Sequence, residues 1–598
     1  MNIKQKMDTM TLEEKIGQKI MLDFRYWDPT GKSNKDMITP DETISRLITD
    51  NHIGGVILFA NNLKDKLQIK KLTAWYAAIK TCGDVRLFIG TDNEGGNVFR
   101  LPRGDYASFP GNMALSAAIE GGADVQLAGE QGSLMAQDML SLNINTNFAP
   151  VADVNTNPFN PVINVRSFSD DEETVSLLAE NMSTGMKQQG VITAYKHFPG
   201  HGSTSTDSHT GLPRVDRSRK EAFAIDIAPY KQAIDNHMAP DMVMTAHIQY
   251  PALDNSQIIT SSGKKITVPA TMSHEIQACI LRDELGYAGV TISDALDMGA
   301  ITNHFSQEEA IENVFVASVD IALMPISISS PSQARQLSAL IQYIVGRVEK
   351  GIISEADIDA SVERILTLKA RHHLLDEEEK EVADVASPSG QALEKQIADR
   401  SITLVINRQS LLPLRDKNLR YFILTPWGEQ ASGIAAVMVQ EGYLNIVAAK
   451  ETDLTDTQVR EHITDCDVFL LGTLSTNFTP AERDGVATTG ATGSTDNNPY
   501  PGWLRYAASL GKKRVHLSLR APYDIVSYAE DVEAAVAAYS YYGYDKGIWR
   551  GPSMISLAEV LTGKRAPLGK LPVNTWHNYD VKTNTGTVAF PRGFGLSW

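Results

Sequence analysis

Residues 190–209 read GVITAYKHFPGHGSTSTDSH, an apolar stretch that passes directly into a loop rich in polar side chains. The apolar part, residues 190–198, is bounded by glycine and has the length of a short buried strand. A buried strand that opens into polar residues is typical of α/β barrels, which carry their chemistry on the loops after the strands. The segment therefore indicates both a fold class and the strand end at which a site would lie.

Short apolar segments of this kind recur through the first two-thirds of the chain, separated by stretches whose apolar spacing favours helices. Eight segments are predicted as strands: residues 19–24, 54–59, 86–92, 144–150, 190–198, 242–247, 289–294 and 317–324. Eight strand–helix units predict a (β/α)₈ barrel of the TIM type over residues 1–373. Because the strand ends of a barrel converge on one mouth, we expect the polar residues that follow these strands to meet there.

The composition changes near residue 374, where an acidic run is followed by proline and serine, and residues 374–396 are predicted as a linker. Beyond it, apolar strands again alternate with helices, which predicts an αβα sandwich with a mostly parallel sheet over residues 397–598. Its predicted strands are residues 401–407, 420–425, 444–449, 467–472, 514–519 and 533–539. The glycine-rich segment 487–497 lacks the context of a phosphate-binding motif and is interpreted as a flexible loop.

The bulk properties limit the partners and the compartment. A chain of 598 residues is long enough for two or more domains, and its net charge of −17 argues against nucleic-acid or anionic-membrane partners. Its three cysteines, far apart in the sequence, give no disulfide framework. The amino terminus lacks the apolar core of a signal peptide and no apolar run is long enough for a membrane span, so a cytoplasmic protein is expected. The oligomeric state is open.

The loop of residues 196–209 crowds three histidines together with Lys196 and Asp207. Asp207 lies two residues from His209, so its carboxylate can bind one imidazole nitrogen and leave the other to move a proton near neutral pH. Three histidines could instead bind zinc. The spacing does not match HExxH, however, and no second cluster of ligands completes a tetrahedral set, so no metal is expected.

Three other segments place charged side chains at predicted strand ends. Asp92 and Arg100 lie in TDNEGGNVFRLPR (91–103), Arg166 lies in VINVRSFSDD (162–171), and Asp294 lies in TISDALDMGA (291–300). A carboxylate beside a guanidinium can clamp the neighbouring hydroxyls of a sugar. Any single aspartate could be structural, but the combination predicts a polar pocket suited to a neutral polyol.

Five ordered motifs then resemble one family. The segment KHFPGHGSTSTDSHTGLP (196–213) is similar to the signature of the NagZ-type β-N-acetylglucosaminidases of glycoside hydrolase family 3. The similarity extends through most of residues 10–370, and residues 397–414 and 566–574 resemble, more loosely, the second domain of two-domain members. The four other motifs are TDNEGGNVFRLP (91–102), FAPVADVNTNPFNPVINVRSFSDD (148–171), VMTAHIQYPALD (243–254) and LRDELGYAGVTISDALDMGA (281–300).

The resemblance implies residue roles and a reaction. Asp294 would be the nucleophile and His209 the acid/base, with Asp207 as its partner. The residues implied to hold the bound N-acetylglucosamine are Asp92, Arg100, Arg166, Lys196 and His197. The implied enzyme is a retaining hydrolase that needs no metal or organic cofactor and acts on carbohydrate, with peptidoglycan fragments as the implied substrate of cell-wall recycling.

Alternatives remain at this point. A histidine acid/base carries no negative charge, so phosphate could replace water as the acceptor and give a sugar 1-phosphate. A β-glucosidase acting on plain glucosides fits less well, because such relatives usually take the acid from a carboxylate. A non-catalytic sugar-binding protein would need Asp92 and Arg100 but not Asp294 together with the Asp207–His209 pair. Chitin oligomers are not distinguished from wall fragments, and the role of the second domain is open.

Overall fold

The computed structural model describes residues 3–375, 388–475, 482 and 498–598. Eight parallel strands form the first sheet, and each lies within one of the segments predicted from the sequence. They are β1 (Ile20–Asp23), β2 (Gly55–Leu58), β3 (Phe88–Thr91), β4 (Thr146–Asn147), β5 (Ile192–Phe198), β6 (Met242–Thr245), β7 (Val290–Ile292) and β8 (Ala322–Leu323). The predicted barrel is thereby confirmed.

The sheet closes on itself. β1 pairs with β2 on one side and with β8 on the other, and a parallel bridge between Ile292 and Ile321 joins β7 to the start of β8. Every residue of the eight strands is buried, as expected when a parallel sheet is covered on both faces. This burial explains why the strands appear in the sequence as continuous apolar runs rather than as an alternating pattern.

Helices surround the barrel and connect its strands. The larger ones are Glu42–Asp50, Lys66–Ala78, Asn112–Glu120, Gln126–Leu140, Glu172–Gln189, Ala228–Asp235, Glu275–Glu284, Gln307–Val316, Ala334–Glu349 and Glu355–Arg371; shorter ones are Ile3–Asp8, Leu12–Gln18, Arg219–Glu221 and Gly299–Thr302. Helix Gln126–Leu140 packs against Glu172–Gln189 with glycines on both sides. None of the helices in the described ranges is both long and apolar enough to cross a membrane.

The second sheet has six strands in the order β9–β14–β13–β12–β10–β11. They are β9 (Thr403–Asn407), β10 (Tyr421–Thr425), β11 (Ile446–Lys450), β12 (Val468–Thr473), β13 (Lys513–Ser518) and β14 (Ala534–Ala537). All pairs are parallel except β9 with β14. The longer helices of this part are Pro388–Ser401, Gly428–Gln440, Asp456–Asp465, Tyr500–Ser509 and Ser553–Thr562. The predicted mostly parallel sheet and all six of its strands are confirmed.

The boundary between the two parts stays a prediction. The helix Glu355–Arg371 is the last barrel helix, and Pro388–Ser401 begins inside the predicted linker. This helix packs against Asn112–Glu120 of the barrel, and the Glu394 carboxylate accepts hydrogen bonds from the backbone N–H and hydroxyl of Ser108. The acidic part of the predicted linker, residues 376–387, and the glycine-rich segment 487–497 lie outside the described residues.

The close packing of the two barrel helices yields a stability prediction. A Cβ added at Gly185 would lie 2.0 Å from the backbone oxygen of Gly129, so Gly185→Ala must push the helices apart. We expect a loss of about 1–3 kcal/mol in the free energy of unfolding, measured by urea denaturation. Gly346→Ala is the matched control, because nothing lies within 4 Å of its added Cβ in helix Ala334–Glu349. It should stabilise by about 0.5–1 kcal/mol, and equal effects of the two changes would contradict the packing argument.

Candidate active site

A cavity of about 410 Å³ opens at the carboxyl ends of the barrel strands. Seven of the eight predicted site residues line it: Asp92, Arg100, Arg166, Lys196, His197, His209 and Asp294. The eighth, Asp207, is not among the lining residues but contacts one of them, with its Oδ1 2.7 Å from Nδ1 of His209. The structure therefore brings together side chains that are up to 202 positions apart in the sequence, from Asp92 to Asp294.

A buried carboxylate that the sequence analysis did not single out connects three of these loops. Glu94 makes a bidentate ion pair with Arg166, with N–O distances of 2.7 and 2.9 Å. It also forms an ion pair with Lys196, whose Nζ lies 2.7 Å from Glu94 Oε1. Burial alone would raise the pKa of Glu94, but the two cations lower it below its ordinary value. Glu94 lies in the quoted motif TDNEGGNVFRLPR, where only Asp92 and Arg100 were assigned a role.

Lys196 lies between two acids. Its Nζ is 2.8 Å from Asp92 Oδ1 as well as 2.7 Å from Glu94 Oε1, and the side chain of Lys196 is almost completely buried. Burial lowers the pKa of the ammonium group, but Asp92 and Glu94 together raise it above its ordinary value. Both acids line the cavity, and Asp92 is the more exposed of the two, so it is the more available to a ligand.

A second acid missed from the sequence fixes His197. Asp153 is fully buried, and its Oδ2 lies 2.7 Å from His197 Nδ1. Its Oδ1 accepts the backbone N–H groups of His197 and His201. Burial raises the pKa of Asp153, but these contacts, led by the charge of His197, lower it overall. Because Nδ1 is occupied, the Nε2 atom of His197 faces Asp294, with 4.0 Å between Nε2 and Oδ2.

Asp294 follows β7 and lines the cavity. Its Oδ1 accepts the backbone N–H of Ala295 at 2.7 Å, and its Oδ2 lies 4.0 Å from Nε2 of His197. Burial raises the pKa of Asp294, but His197, then His247 and His209, lower it below the ordinary value. The carboxylate therefore remains ionised near neutral pH, which is the form a nucleophile requires.

The predicted pair of Asp207 and His209 forms as expected from the spacing. Asp207 Oδ1 lies 2.7 Å from His209 Nδ1 and also accepts the backbone N–H of His209 at 2.8 Å. Burial raises the pKa of Asp207, but the hydrogen bond and charge of His209 lower it overall. The Nδ1 atom of His209 is thus occupied, so Nε2 is the nitrogen available for proton transfer.

The segment that carries His209 is held next to the residues that follow Asp294. The backbone N–H of Gly299 donates to the carbonyl of His209 at 3.2 Å, and that of Ala300 donates to Ser208 at 3.0 Å. A Cβ added at Gly299 would lie only 2.6 Å from the His209 carbonyl oxygen. A glycine is therefore required here for the acid/base candidate to approach the loop of the carboxylate.

Other residues that line the cavity were not predicted. They lie in the loops after β1, β2 and β7 and include Arg25, Phe59, Asn61, Asp297 and Met298. The guanidinium carbon of Arg25 lies 3.8 Å from the ring centroid of Phe59, which stacks the cation against the ring. No sequence signal marked Arg25, because an isolated arginine after a strand is common.

The histidines of the cavity do not form a metal site among the described residues. His197 and His209 each bind a separate aspartate, and His201 contacts Thr204 and Ser208 through its two nitrogens. Three potential ligands do lie close together elsewhere, with Glu14, His52 and Cys82 within 4.8 Å of one another. These three precede β1, β2 and β3, and so lie at the other end of the barrel from the cavity.

The comparisons with known proteins identify the family. The family model described as "Glycosyl hydrolase family 3 N terminal domain" matches residues 11–368. The chain belongs to glycosyl hydrolase family 3. The predicted glycoside hydrolase, and the resemblance to the two-domain β-N-acetylglucosaminidases of this family, are confirmed.

The similarity of this family 3 chain to its relatives extends through both domains. Beta-hexosaminidase A of Pseudoalteromonas piscicida is 36% identical over 591 residues, or 95% of this chain and 98% of the relative. The structure of a β-N-acetylglucosaminidase from Paenibacillus sp. str. FPU-7 covers 94% of this chain and 99% of its own, with a TM-score of 0.77 at 29% identity. A beta-glucoside phosphorylase has a TM-score of 0.75 at 21% identity, covers 96% of each chain, and shares the fold.

The contacts of Glu94 predict that removing its charge destabilises the fold. Glu94→Gln removes the shared anion and leaves Arg166 and Lys196 buried around a neutral amide, which should cost about 3–5 kcal/mol in the free energy of unfolding. Urea denaturation at pH 7 measures the loss. Glu42→Gln, which breaks an exposed pair with Arg46, is the control and should change stability by less than about 0.5 kcal/mol.

The same variant has a pH signature. The pKa of Glu94 is lower in the folded chain than its ordinary value of 4.5, so its stabilisation is complete above that pH and is lost as the pH falls below it. The wild-type chain should therefore lose part of its stability below pH 4.5 that the Glu94→Gln variant no longer loses. Identical slopes of stability against pH for the two proteins would show that Glu94 is not bound as described.

Proposed function

We propose that this chain is a retaining exo-β-N-acetylglucosaminidase that removes terminal β-linked N-acetylglucosamine. In this proposal Asp294 is the nucleophile, His209 is the general acid/base, and Asp207 is the partner of His209. The observation that carries the proposal is that an ionised Asp294 and His209, which is bound to Asp207, line one cavity of about 410 Å³, a volume suited to a sugar ring.

The first half-reaction forms a covalent glycosyl-enzyme. Asp294 Oδ2 attacks the anomeric carbon while the protonated Nε2 of His209 donates its proton to the departing glycosidic oxygen. Asp207 stabilises the imidazolium form of His209 before this transfer, since its carboxylate is bound to Nδ1 at 2.7 Å. The products of this step are the free aglycone and a glycosyl ester on Asp294.

The second half-reaction returns the enzyme to its starting state. Neutral His209 takes a proton from an incoming water at Nε2, and the water oxygen displaces Asp294 from the anomeric carbon. Two displacements at the same carbon give net retention of configuration. A histidine can serve in both steps because the pKa of imidazole lies close to neutral pH.

Five further residues are proposed to hold the sugar. Asp92 and Lys196 form a paired acceptor and donor, and His197 presents Nε2 near Asp294, so these groups can bind ring hydroxyls beside the reacting carbon. Arg166 and Arg100 add fixed cations on the same wall. Preorganisation of these groups by Glu94 and Asp153 would let binding energy act on the transition state without rearrangement.

The proposed sugar rests on the relatives and on the cavity, whereas the proposed aglycone rests on the resemblance of the sequence motifs to the NagZ-type enzymes. The names of the Pseudoalteromonas and Paenibacillus proteins support an N-acetylhexosaminide as substrate. Peptidoglycan fragments with a terminal N-acetylglucosamine are the proposed natural substrate, as in cell-wall recycling. Comparing kcat/KM for a muropeptide disaccharide with that for chitobiose tests this choice, and a preference for chitobiose would reassign the substrate to chitin oligomers.

The direct test is hydrolysis of an aryl N-acetyl-β-glucosaminide. The wild-type chain should release the aryl group, and Asp294→Ala should lower kcat by at least about 10⁴-fold whatever the leaving group. Product analysis with and without inorganic phosphate separates hydrolysis, which gives free N-acetylglucosamine, from phosphorolysis, which gives a sugar 1-phosphate. Binding of N-acetylglucosamine without any turnover would instead identify a sugar-binding protein.

The acid role of His209 is tested by the leaving group. His209→Ala should lower kcat by about 10²–10⁴-fold for a poor leaving group such as a sugar, but much less for the formation of glycosyl-enzyme from a dinitrophenyl glycoside, which needs no protonation. The exposed His577 gives the control His577→Ala, which should leave both rates unchanged. Equal losses for good and poor leaving groups in His209→Ala would show that this histidine is not the acid.

A further inference from the structure

The loop after β4, which carries Arg166, lies between the barrel and the second domain. Residues of the second domain contact it along most of its length. These contacts are Tyr523 with Asn155, Tyr579 with Thr156, Arg520 with Asn164, Pro572 with Ser169, Asn574 with Asp170, and Arg592 with Asp170 and Asp171. Part of the environment of this loop thus comes from outside the barrel.

Arg520 is the most deeply placed of these contacts. It follows β13 at the carboxyl edge of the second sheet, is completely buried, and forms an ion pair with the equally buried Glu482. Its Nη1 donates to the side-chain oxygen of Asn164 at 3.0 Å and to the carbonyl of Ser475 at 2.9 Å. Burying an ion pair costs desolvation free energy, so the contact of buried Arg520 with the barrel would be costly if the pair only filled the core.

A second route from the same domain reaches the same residue. The hydroxyl of Tyr523 accepts a hydrogen bond from Asn155 Nδ2 at 2.9 Å, and Asn155 Oδ1 accepts the backbone N–H of Asn164 at 3.0 Å. Asn164 therefore has its side chain bound by Arg520 and its backbone bound through Tyr523 and Asn155. Two independent contacts on one residue determine its orientation closely.

Asn164 begins the turn that sets the direction of Arg166. The turn Asn164–Arg166 is one short 3₁₀ helix, and Asn164 has a φ of +47°, a conformation that asparagine tolerates better than most residues. Asn112 Nδ2 donates a hydrogen bond to the carbonyl of Arg166. Arg166 Nη1 donates to the carbonyl of Val162 at 2.9 Å. With both ends of the turn fixed, the guanidinium of Arg166 has one direction, towards Glu94 and the cavity.

We propose that Arg520 of the second domain is a positioning residue of the sugar site, which acts through Asn164 on the turn that carries Arg166. The inference rests on the proposed role of Arg166 in holding the sugar. It assigns the second domain a part in substrate binding, because Arg520 binds the side-chain oxygen of Asn164 and Tyr523 binds Asn155, which in turn holds the Asn164 backbone. The barrel itself supplies one further contact, from Asn164 Nδ2 to the carbonyl of Pro158 at 3.0 Å.

Two changes, made on opposite sides of the interface, test the proposal. Arg520→Met combined with Glu482→Gln removes the buried pair without leaving a lone charge, and Asn164→Gly removes the acceptor in the barrel while keeping the positive φ accessible. Arg520→Lys retains the positive charge beside Glu482 and is the variant expected to remain folded if the double change does not fold. Arg420→Gln is the matched control, since Arg420 pairs with Asp467 at the opposite edge of the same sheet, with its side chain largely exposed.

The kinetic readout is kcat and KM for an aryl N-acetyl-β-glucosaminide at saturating and limiting substrate. Both changes should lower kcat/KM by about tenfold, mainly through a higher KM, because a misdirected Arg166 loses contacts made in the ground state as well as in the transition state. Combining the two should add little to either alone, because they interrupt the same connection. A loss confined to kcat, or losses that multiply in the combined variant, would overturn the proposal.

The structural readout does not depend on activity. Hydrogen exchange of the amides in residues 162–168 should be faster in the Arg520→Met/Glu482→Gln and Asn164→Gly variants than in the wild type or Arg420→Gln, with the melting temperature above the assay temperature in all. Unchanged exchange would refute the positioning role even if the wild-type chain were inactive on this substrate. An inactive wild type with faster exchange in the variants would instead refute the proposed function and retain the connection.

Discussion

The buried carboxylate of Glu94 is the interaction on which the charged wall of the cavity depends. It follows β3, yet it binds Arg166 from the loop after β4 and Lys196 from the end of β5. Two cations so close together in a medium of low dielectric require a shared anion, so the three loops cannot shift independently. The polar wall is therefore organised before any ligand arrives, which is the condition for electrostatic stabilisation of a transition state.

Two histidines that line the cavity, His197 and His209, are each paired with an acid of their own. Asp153 holds His197 and Asp207 holds His209, each through Nδ1 at 2.7 Å. Asp294 instead lies 4.0 Å from Nε2 of His197, and the charges of His197, His247 and His209 lower its pKa despite burial. One carboxylate is thus kept ionised, while two others set the tautomers of neighbouring rings. Asp153 and Asp207 differ from Asp294 because each of them already binds the Nδ1 atom of a histidine.

Much of this arrangement could be predicted from the sequence, because the relevant signals are local. Each barrel strand is a continuous apolar run, and Asp207 lies two positions from His209, so strand positions and this pair needed no tertiary information. Glu94, Asp153 and Arg25 were missed for the opposite reason. The partners of Glu94 and Asp153 lie far along the chain, as with Glu94 and Arg166, and a single acid or arginine after a strand carries no distinguishing local pattern.

The sequence by itself determined the eight strands of the barrel, the six strands of the second sheet and the motifs that place chemistry at strand ends, because hydrophobic periodicity and short spacing are properties of neighbouring residues. Only the tertiary structure decided which charges are shared and which nitrogen of each histidine is occupied. It alone brought Arg520 of the second domain to Asn164, 356 positions away in the sequence. Contacts of this kind depend on how the closed barrel and the second sheet pack together, and no local pattern encodes that packing.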